Sequence, residues 1–391
     1  MDRALRRRCW HRLAKLSSRP LCIQINWQQQ CGGGEVYTRF FTQALISLGW
    51  DVEIIVHRSA TFWREFGLKG VRFLPVVRGS EIPGLLPRGP AVVVTHTTLP
   101  PELASTISTR YRLGGFLHMP LHERMPGGLA HYHRIFPVST YVRGTALARG
   151  LQQVHAQPLL GVADLAPRTT GGGAIVRHSE YDWDLRKMRD RVLSWAEPLR
   201  TSRRRQVFSR RPGIALGIVS RLTPIKQFPL LFSLLAPVLS DYPEIHLEVF
   251  GSGGYSSVRD LRRSLGPILD RTRFWGHQPD PAAVYGQLDY VLSGLPEREA
   301  LGLNLIEAQA AGTPVIAVDA PPFVETVMPG ASGFLYADPR DDGGESFRTL
   351  MTNLNTGMTR PDPRVAKDHL SQFSPQAFRE RVACAMSELR L

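Results

Sequence analysis

The sequence predicts an α/β protein built from two doubly wound parallel sheets. Three observations support this prediction. Short apolar runs typical of buried parallel strands alternate with amphipathic segments of helical period along most of the chain. The alternation occurs twice, on either side of a stretch rich in glycine and arginine. The length of 391 residues is enough for two domains of ordinary size.

The first half of the chain opens with a predicted basic amphipathic helix over residues 1–18, where apolar side chains recur at helical spacing among arginines. Apolar runs then predict strands, and periodic segments predict helices, the first of which is closed by Gly49. The predicted strands are 21–26, 51–57, 71–77, 91–95, 113–117 and 135–138, and the predicted helices are 35–48 and 140–149.

The second alternation begins after residues 166–213, which predict an interdomain linker with a charged insertion and a surface helix over 181–191. Its predicted strands are 214–219, 245–250, 272–275, 290–293 and 314–318, and its predicted helices are 230–239, 257–265, 303–311 and 375–389. The predicted domains are 19–165 and 214–373, and a final helix over 374–391 is expected to pack back towards the N-terminal domain. A ligand is expected at the carboxyl ends of the strands, in a cleft between the domains.

The composition is that of an ordinary globular protein. Hydrophobic residues make up 43% and charged residues 21%, which argues against a disordered chain. The 4 cysteines include no C-x-x-C pair, so neither a disulfide scaffold nor a cysteine zinc site is indicated. No apolar run approaches the ~18 residues that span a bilayer, and the N-terminus has no secretory apolar segment. We therefore expect a cytoplasmic protein.

The charge is strongly basic, with 48 Lys and Arg against 34 Asp and Glu and a net charge of +14. Such a field favours anionic partners, namely phosphorylated substrates, anionic membranes or nucleic acid. Arginines cluster at residues 6–8 and again between 200 and 211. No nucleic-acid reader module accompanies them, so nucleic acid is not an expected partner. The two clusters predict peripheral association with the inner face of an anionic membrane.

A pair of carboxylates, Glu299 and Glu307, gives the strongest chemical signal. The first lies in a predicted strand-to-helix loop and the second in the helix that follows. Eight helical residues span ~12 Å, which is on the order of the hexose-to-ribose separation across a diphosphate. Between the carboxylates, the amides around Leu301, Gly302 and Leu303 open a helix, where free N–H groups and the helix dipole favour phosphate. The segment therefore predicts a site with one carboxylate for each sugar and a phosphate between them.

This segment resembles the E-x7-E signature of the retaining glycosyltransferases of GT-B fold, in the group 1 or family 4 class. Further segments resemble other motifs of the same family, in the same order along the chain: Gly32-Gly33-Gly34-Glu35, Gly161-Val162-Ala163-Asp164, residues 220–226, residues 250–253 and residues 273–277. The resemblance extends from about residue 20 to the C-terminus, apart from the insertion. Departures include Leu301 in place of the usual Phe and Ser220 in place of the usual Gly.

The resemblance implies two Rossmann-like domains that face each other across a cleft, with the acceptor on the N-terminal side and the nucleotide sugar on the C-terminal side. The implied reaction moves a hexose from a UDP- or GDP-type donor to a saccharide or lipid-linked acceptor hydroxyl, with retention of configuration. Surface polysaccharide or glycolipid synthesis is the expected setting.

The resemblance also assigns roles to individual residues. Arg221 and Lys226 would stabilise the leaving diphosphate, Glu299 would orient the hexose and Glu307 would hold the ribose. His118, at the end of a predicted strand, would position the sugar. The implied catalytic residues are Arg221, Lys226, Glu299 and His118, and the implied donor-binding residues are Gly33, Gly34, Gly251, Gly276, His277, Leu301, Gly302, Leu303 and Glu307.

No metal or other cofactor is expected, because cationic side chains and helix-start amides can stabilise the phosphates instead. Histidines between His118 and His133 suggest a metal site only weakly, since Pro120 interrupts the helical register and no further ligand spacing completes the set. Two alternatives remain open. The chain could be a sugar-nucleotide epimerase of GT-B fold, or a basic non-catalytic protein that binds membranes or RNA.

Overall fold

The computed structural model of the chain describes residues 19–122, 125–163, 174–184, 187–200 and 206–390. The predicted N-terminal helix, Asp164 and the arginines at 203–205 lie outside the described residues. The chain divides into two compact units. Unit 1 comprises Met1–Val162 and Ser371–Leu391, and unit 2 comprises Ala163–Leu370.

Unit 1 contains one parallel sheet of six strands, in the order β3-β2-β1-β4-β5-β6. The strands are β1 (Leu21–Asn26), β2 (Asp51–His57), β3 (Arg72–Val76), β4 (Val92–Thr95), β5 (Arg112–Leu117) and β6 (Arg134–Pro137). The helices between them are α1 (Gly33–Ser47), α2 (Ile82–Leu85), α3 (Pro101–Ser108) and α4 (Thr140–Ala148). Helices cover both faces of such a sheet, which explains why strands such as β4 are buried along their whole length.

Unit 2 contains a second parallel sheet of six strands, in the order β12-β11-β10-β7-β8-β9. Its strands are β7 (Ile214–Val219), β8 (Ile245–Phe250), β9 (Thr272–Gly276), β10 (Tyr290–Leu292), β11 (Val315–Val318) and β12 (Gly333–Tyr336). Its helices are α5 (Met188–Arg200), α6 (Phe228–Ser240), α7 (Tyr255–Ser264), α8 (Pro281–Tyr285), α9 (Leu303–Ala310), α10 (Phe323–Thr326), α11 (Pro339–Asp342), α12 (Glu345–Asn355) and α13 (Lys367–Ser371). The prediction of two doubly wound sheets is confirmed.

The last helix, α14 (Pro375–Leu389), belongs to unit 1 although it follows unit 2 in the chain. It starts where the side chain of Ser374 accepts a hydrogen bond from the amide of Ala377, 3.2 Å away. Its Phe378 ring meets the edge of Tyr37 on α1, with centroids 5.3 Å apart. Near its end, Glu388 lies 2.6 Å from Arg134 of β6. No helix within the described residues is long and apolar enough to cross a membrane.

The charged insertion differs in part from its prediction, because the surface helix expected over 181–191 begins only at Met188. Tyr181 instead makes an isolated bridge with Gly253, and α5 starts only at Met188. The rings of Tyr181 and Trp183 stack with centroids 4.7 Å apart, and Asp190 is buried. Tyr181 therefore packs against the core of unit 2, and the exposed helical surface begins only with α5.

A buried carboxylate, Glu248 of β8, organises the outer half of the sheet in unit 2. It accepts hydrogen bonds from Arg273 at 2.9 Å, from Arg211 at 3.0 Å and from the indole of Trp275 at 2.6 Å. Its side chain is 0% exposed, so its charge depends on these donors rather than on water. Arg211, which belongs to the second arginine cluster of the sequence, thus has a structural partner.

We expect the substitution Glu248→Gln to lower the free energy of unfolding by about 3 kcal/mol, because it leaves two guanidinium groups without their counter-charge. The matched control is Glu345→Gln, whose carboxylate is 73% exposed and lies 3.7 Å from Arg348. The control should change stability by less than about 0.5 kcal/mol. Urea denaturation of both variants measures the difference, and equal losses would contradict the structural role of Glu248.

Candidate functional site

The sheet of unit 2 reverses its winding between β7 and β10, which are neighbours in the sheet. Ligands of open α/β sheets bind beyond the carboxyl ends of the strands at such a switch point. Two loops leave the sheet there, residues 220–227 after β7 and residues 293–302 after β10. These loops carry three of the four residues predicted as catalytic.

Lys226 and Glu299 form an ion pair across this switch point, between Nζ of the lysine and Oε2 of the glutamate. The other oxygen of Glu299 accepts hydrogen bonds from the amides of Ala300 and Gly302, each at 3.3 Å. The two charged side chains are 27% and 16% exposed, so both remain within reach of a ligand. The structure thus brings together two residues that lie 73 positions apart in the sequence.

Arg221 lies in the same loop as Lys226, and its side chain is exposed. Two glycines after β8 hold this loop by close contact between backbones. A Cβ atom at Gly251 would lie 1.8 Å from the carbonyl oxygen of Ser220, and one at Gly253 would lie 2.1 Å from that of Leu222. Gly251, which was predicted to bind the donor, therefore has a structural role in positioning the arginine.

Sequence reasoning did not identify Gly294, which has a similar role for the lysine. A Cβ atom at this position would lie 2.6 Å from the carbonyl oxygen of Lys226. The signal available in the sequence was a single glycine directly after a short apolar run, which is too common a pattern to mark a site.

The start of α9 offers backbone N–H groups to the same region. Gly302 has φ +78°, a left-handed conformation that favours glycine, and a Cβ atom there would lie 3.3 Å from the ring of Phe323. Among the described residues, the amides of Leu303 and Asn304 have no hydrogen-bond acceptor. Leu301 is buried, so only its backbone is open to a ligand. A helix start with free amides is suited to an anion.

Glu307 is held by a residue that the sequence analysis missed. The hydroxyl of Tyr285, at the end of α8, donates a hydrogen bond of 2.9 Å to Oε2 of Glu307. Tyr285 is fully buried, and burial first and the neighbouring carboxylate second raise the pKa of Tyr285 well above its usual range. The tyrosine therefore remains a donor and fixes the orientation of the carboxylate.

Gly276 contacts the inserted segment. It has φ +68°, and a Cβ atom there would lie 2.4 Å from the carbonyl oxygen of Ser179. The amide of His178 donates a hydrogen bond of 2.9 Å to the carbonyl oxygen of Trp275, which keeps the insertion beside the end of β9. His277, the next residue, is exposed. Packing alone thus accounts for glycine at 276, whereas His277 is accessible to a ligand.

In unit 1, Gly33 and Gly34 open α1 directly after the loop that follows β1. The side-chain amide of Asn26 donates to Glu35 at 3.3 Å and to Thr38 at 2.9 Å, which ties the end of β1 to the first turn of α1. A Cβ atom added at Gly34 would have no neighbour within 4 Å. Packing therefore does not require glycine at 34.

His118 follows β5 and is partly exposed. Its Nε2 lies 3.4 Å from Nδ1 of the buried His96, which sequence reasoning missed, and Tyr37 meets its ring edge-on at 5.1 Å. Burial lowers the pKa of His118 to about 4, so the ring is neutral at pH 7. Of the other histidines in this stretch, His133 accepts a hydrogen bond from the amide of Leu113 over 3.1 Å. Within the described ranges, no group of three or more His, Cys, Asp or Glu residues is placed to hold a metal ion.

Comparison with known proteins agrees with this geometry. Residues 200–354, which contain Arg221, Lys226 and both glutamates, match the family model of the group 1 glycosyl transferases. Within residues 200–354, about two fifths of the chain, the sequence is that of a group 1 glycosyltransferase. The resemblance inferred from the sequence motifs is therefore confirmed.

Curated relatives of this glycosyltransferase include the D-inositol 3-phosphate glycosyltransferase of Corynebacterium kroppenstedtii. That protein is 27% identical over 418 aligned positions, which cover 93% of this chain and 86% of the relative. A phosphatidyl-myo-inositol mannosyltransferase of Mycobacterium leprae is 31% identical over 139 positions, covering 35% of this chain and 36% of its own.

Solved structures show the same fold at lower identity. The Anabaena protein HepE, crystallised with UDP and glucose, superposes with a TM-score of 0.66 and 15% identity, covering 94% of this glycosyltransferase and 100% of HepE. A glycosyltransferase of Rickettsia africae gives a TM-score of 0.68 at 14% identity, covering 95% and 99% of the two chains. The predicted GT-B fold, with a Rossmann-like sheet in each unit, is confirmed.

We expect Tyr285→Phe to destabilise unit 2 by about 2 kcal/mol, because it removes a hydrogen bond to a carboxylate. Tyr336→Phe is the matched control, since this buried tyrosine hydroxyl has no partner among the described residues. The control should be neutral or stabilising. Denaturation curves of the two variants give the comparison, and similar effects would argue against the bond to Glu307.

Proposed function

We propose that this glycosyltransferase moves a hexose from a UDP- or GDP-type nucleotide sugar to an acceptor hydroxyl, with retention of configuration and without a metal ion. The observation that carries the proposal is the pairing of Lys226 and Glu299 at the switch point, beside the open amides of α9. A cation, a carboxylate and an anion-binding helix start then lie together where a sugar diphosphate needs all three.

Transfer from a nucleotide sugar makes a diphosphate leaving group, and negative charge grows on its oxygens in the transition state. Arg221 and Lys226 would stabilise that charge together with the amides of Leu303 and Asn304, and fixed donors of this kind act without reorganisation. Glu299 would accept a hydrogen bond from a hexose hydroxyl, and Glu307 would accept one from the ribose. With no nucleophile assigned, we favour a front-face reaction in which the leaving phosphate takes the proton of the acceptor.

The acceptor that we propose is a saccharide or lipid-linked hydroxyl, and inositol phosphates are the first candidates. The relatives from Corynebacterium and Mycobacterium are named for inositol 3-phosphate and for phosphatidyl-myo-inositol. An acceptor with a phosphate group also suits the net charge of +14.

The test is an assay of UDP and GDP release from a panel of nucleotide sugars, with inositol 3-phosphate, phosphatidylinositol or no acceptor. The proposal is supported if release depends on the acceptor and if NMR shows that the product keeps the anomeric configuration of the donor. An epimerase would alter the sugar without needing an acceptor, and a binding protein would do neither. EDTA should leave the rate unchanged, and a loss restored by Mg²⁺ or Mn²⁺ would reject the metal-independent mechanism.

We expect Arg221→Ala and Lys226→Ala each to lower kcat/KM by at least ~10²-fold, because each removes a charge-assisted contact to the developing diphosphate. Arg259→Ala is the control, since Arg259 is an exposed arginine of the same unit that pairs with Asp260 at 2.8 Å. Steady-state kinetics should show wild-type values for the control. Activity of a folded Arg221→Ala protein within a few-fold of wild type would exclude the proposed role.

We expect Glu299→Gln to depress kcat more than Glu307→Gln, because Glu299 would orient the reacting hexose. Glu307→Gln should mainly raise KM for the donor, since a ribose contact is similar in ground and transition states. Tyr285→Phe should act in the same direction as Glu307→Gln and more weakly, because it only loosens the carboxylate. The reverse order of kcat effects in steady-state kinetics would overturn this assignment of the two sugars.

We also propose that the enzyme works on the cytoplasmic face of an anionic membrane. Helix α5 exposes an apolar stripe at helical spacing, with Met188 78%, Val192 60% and Trp195 82% exposed. The exposed Arg191 lies on the same helix, and a tryptophan is suited to the boundary between lipid and water. Arg189 contributes less, because it pairs with Asp190 at 2.9 Å. Arg210 contributes less than the sequence suggests, because it pairs with Asp289 at 2.6 Å.

We expect salt-sensitive sedimentation with vesicles that contain anionic lipid, and little binding to neutral vesicles. Trp195→Ser should weaken this binding about 30-fold, since a buried aromatic side chain contributes on the order of 2 kcal/mol. Val365→Ser is the control, because this exposed residue lies outside α5 and is 70% exposed. Deletion of residues 1–18 should also reduce binding. Equal sedimentation with both kinds of vesicle would contradict the proposal.

A further inference from the structure

A chain of buried polar side chains runs behind His118 through the apolar core of unit 1. Gln24 of β1 and Thr42 of α1 are both 0% exposed. The amide nitrogen of Gln24 lies 2.8 Å from the Thr42 hydroxyl, and its oxygen lies 2.9 Å from Nε2 of His96. Nδ1 of His96 then lies 3.4 Å from Nε2 of His118. This series of hydrogen-bonded side chains ends at the carboxyl edge of the sheet, where His118 is partly exposed and the other three residues are buried.

The direction of each hydrogen bond follows from the threonine. The Thr42 hydroxyl donates its one hydrogen to the carbonyl of Thr38, 2.8 Å away, so it accepts the bond from Gln24. The amide nitrogen of Gln24 therefore faces Thr42, and the amide oxygen faces His96. An oxygen in that position requires a hydrogen on Nε2 of His96.

A neutral imidazole carries only one N–H, so the tautomer of His96 determines the tautomer of His118. His96 is neutral because burial first and His118 second lower its pKa well below the usual range. With its hydrogen on Nε2, His96 presents a lone pair on Nδ1, and His118 donates its own Nε2–H to it. Aromatic rings hold both imidazoles in place, since Phe116 stacks on His96 at 4.7 Å and on His118 at 5.5 Å.

We propose that Gln24 and His96 are positioning residues that hold His118 as the Nε2–H tautomer, so that Nδ1 of His118 is a hydrogen-bond acceptor for a substrate hydroxyl. This inference rests on the proposed function for the contact between His118 and the hexose. An acceptor at this place selects a neutral sugar hydroxyl. It disfavours a carboxylate or a phosphate oxygen, which has no hydrogen to donate.

The tautomer can be observed directly in the wild-type protein. Two-bond ¹H–¹⁵N correlation spectra of protein labelled at histidine nitrogens distinguish Nε2–H from Nδ1–H, and His118→Gln assigns the signals. We expect Nε2–H on both His96 and His118 at pH 7.5. Nδ1–H on His118 would show that the Gln24 amide faces the other way, and it would overturn the proposal.

Two variants then test whether Gln24 sets the tautomer. Gln24→Met keeps the approximate volume and removes the acceptor, so His118 should become a mixture of tautomers. Gln153→Met is the matched control, because Gln153 lies in the same unit and its amide donates to the carbonyl of Leu129 over 2.9 Å. The control should leave the His118 signal unchanged. An unaltered His118 signal in Gln24→Met would remove the positioning role.

Kinetics separate this inference from the proposed function. With an active donor, Gln24→Met should lower kcat/KM about 10-fold, and a donor that lacks the contacted hydroxyl should show no such loss. If the expected tautomer is found and no nucleotide sugar reacts, the proposed function fails and the tautomer assignment stands. If transfer occurs but His118 carries Nδ1–H, the function stands and the inference fails.

Discussion

The site in unit 2 depends on backbone contacts that leave no space for a Cβ atom. The loop that carries Arg221 and Lys226 is held on one side by Gly251 and Gly253 and on the other by Gly294, all in contact with its carbonyl oxygens. The backbone of this loop fixes the positions of its side chains. A residue larger than glycine at any of the three positions would push the loop away, and both cations would move with it. The charged groups are thus placed by positions that bear no charge.

Sequence reasoning found the parts of the molecule whose signals are local. Apolar runs marked most strands because parallel strands are buried on both faces, as for β7 and β8. The short strand β12 was missed, since its 4 residues follow a turn and carry little pattern. Spacing also identified Glu299 and Glu307, because both lie in one continuous segment.

Residues whose significance comes from the fold were not accessible in this way. Tyr285 meets Glu307 only because α8 and α9 pack together, and Gln24 meets His96 only because β1 and β4 are neighbours in the sheet. The insertion was misinterpreted for the same reason. Its charged residues suggested a surface helix from residue 181, yet Asp190 is buried and Tyr181 packs against the core of unit 2. A partner that is distant in the sequence can bury a polar residue that would otherwise be exposed, and a single sequence does not reveal such partners.

The return of α14 to unit 1 has a consequence for synthesis of the chain. Unit 1 is discontinuous, because Met1–Val162 is completed by the last residues, Ser371–Leu391. On the ribosome, the first sheet is made before unit 2, but the helix that covers Tyr37 and binds Arg134 emerges after unit 2. Unit 2 is continuous and can fold while translation continues. The N-terminal unit, although synthesised first, therefore finishes folding second.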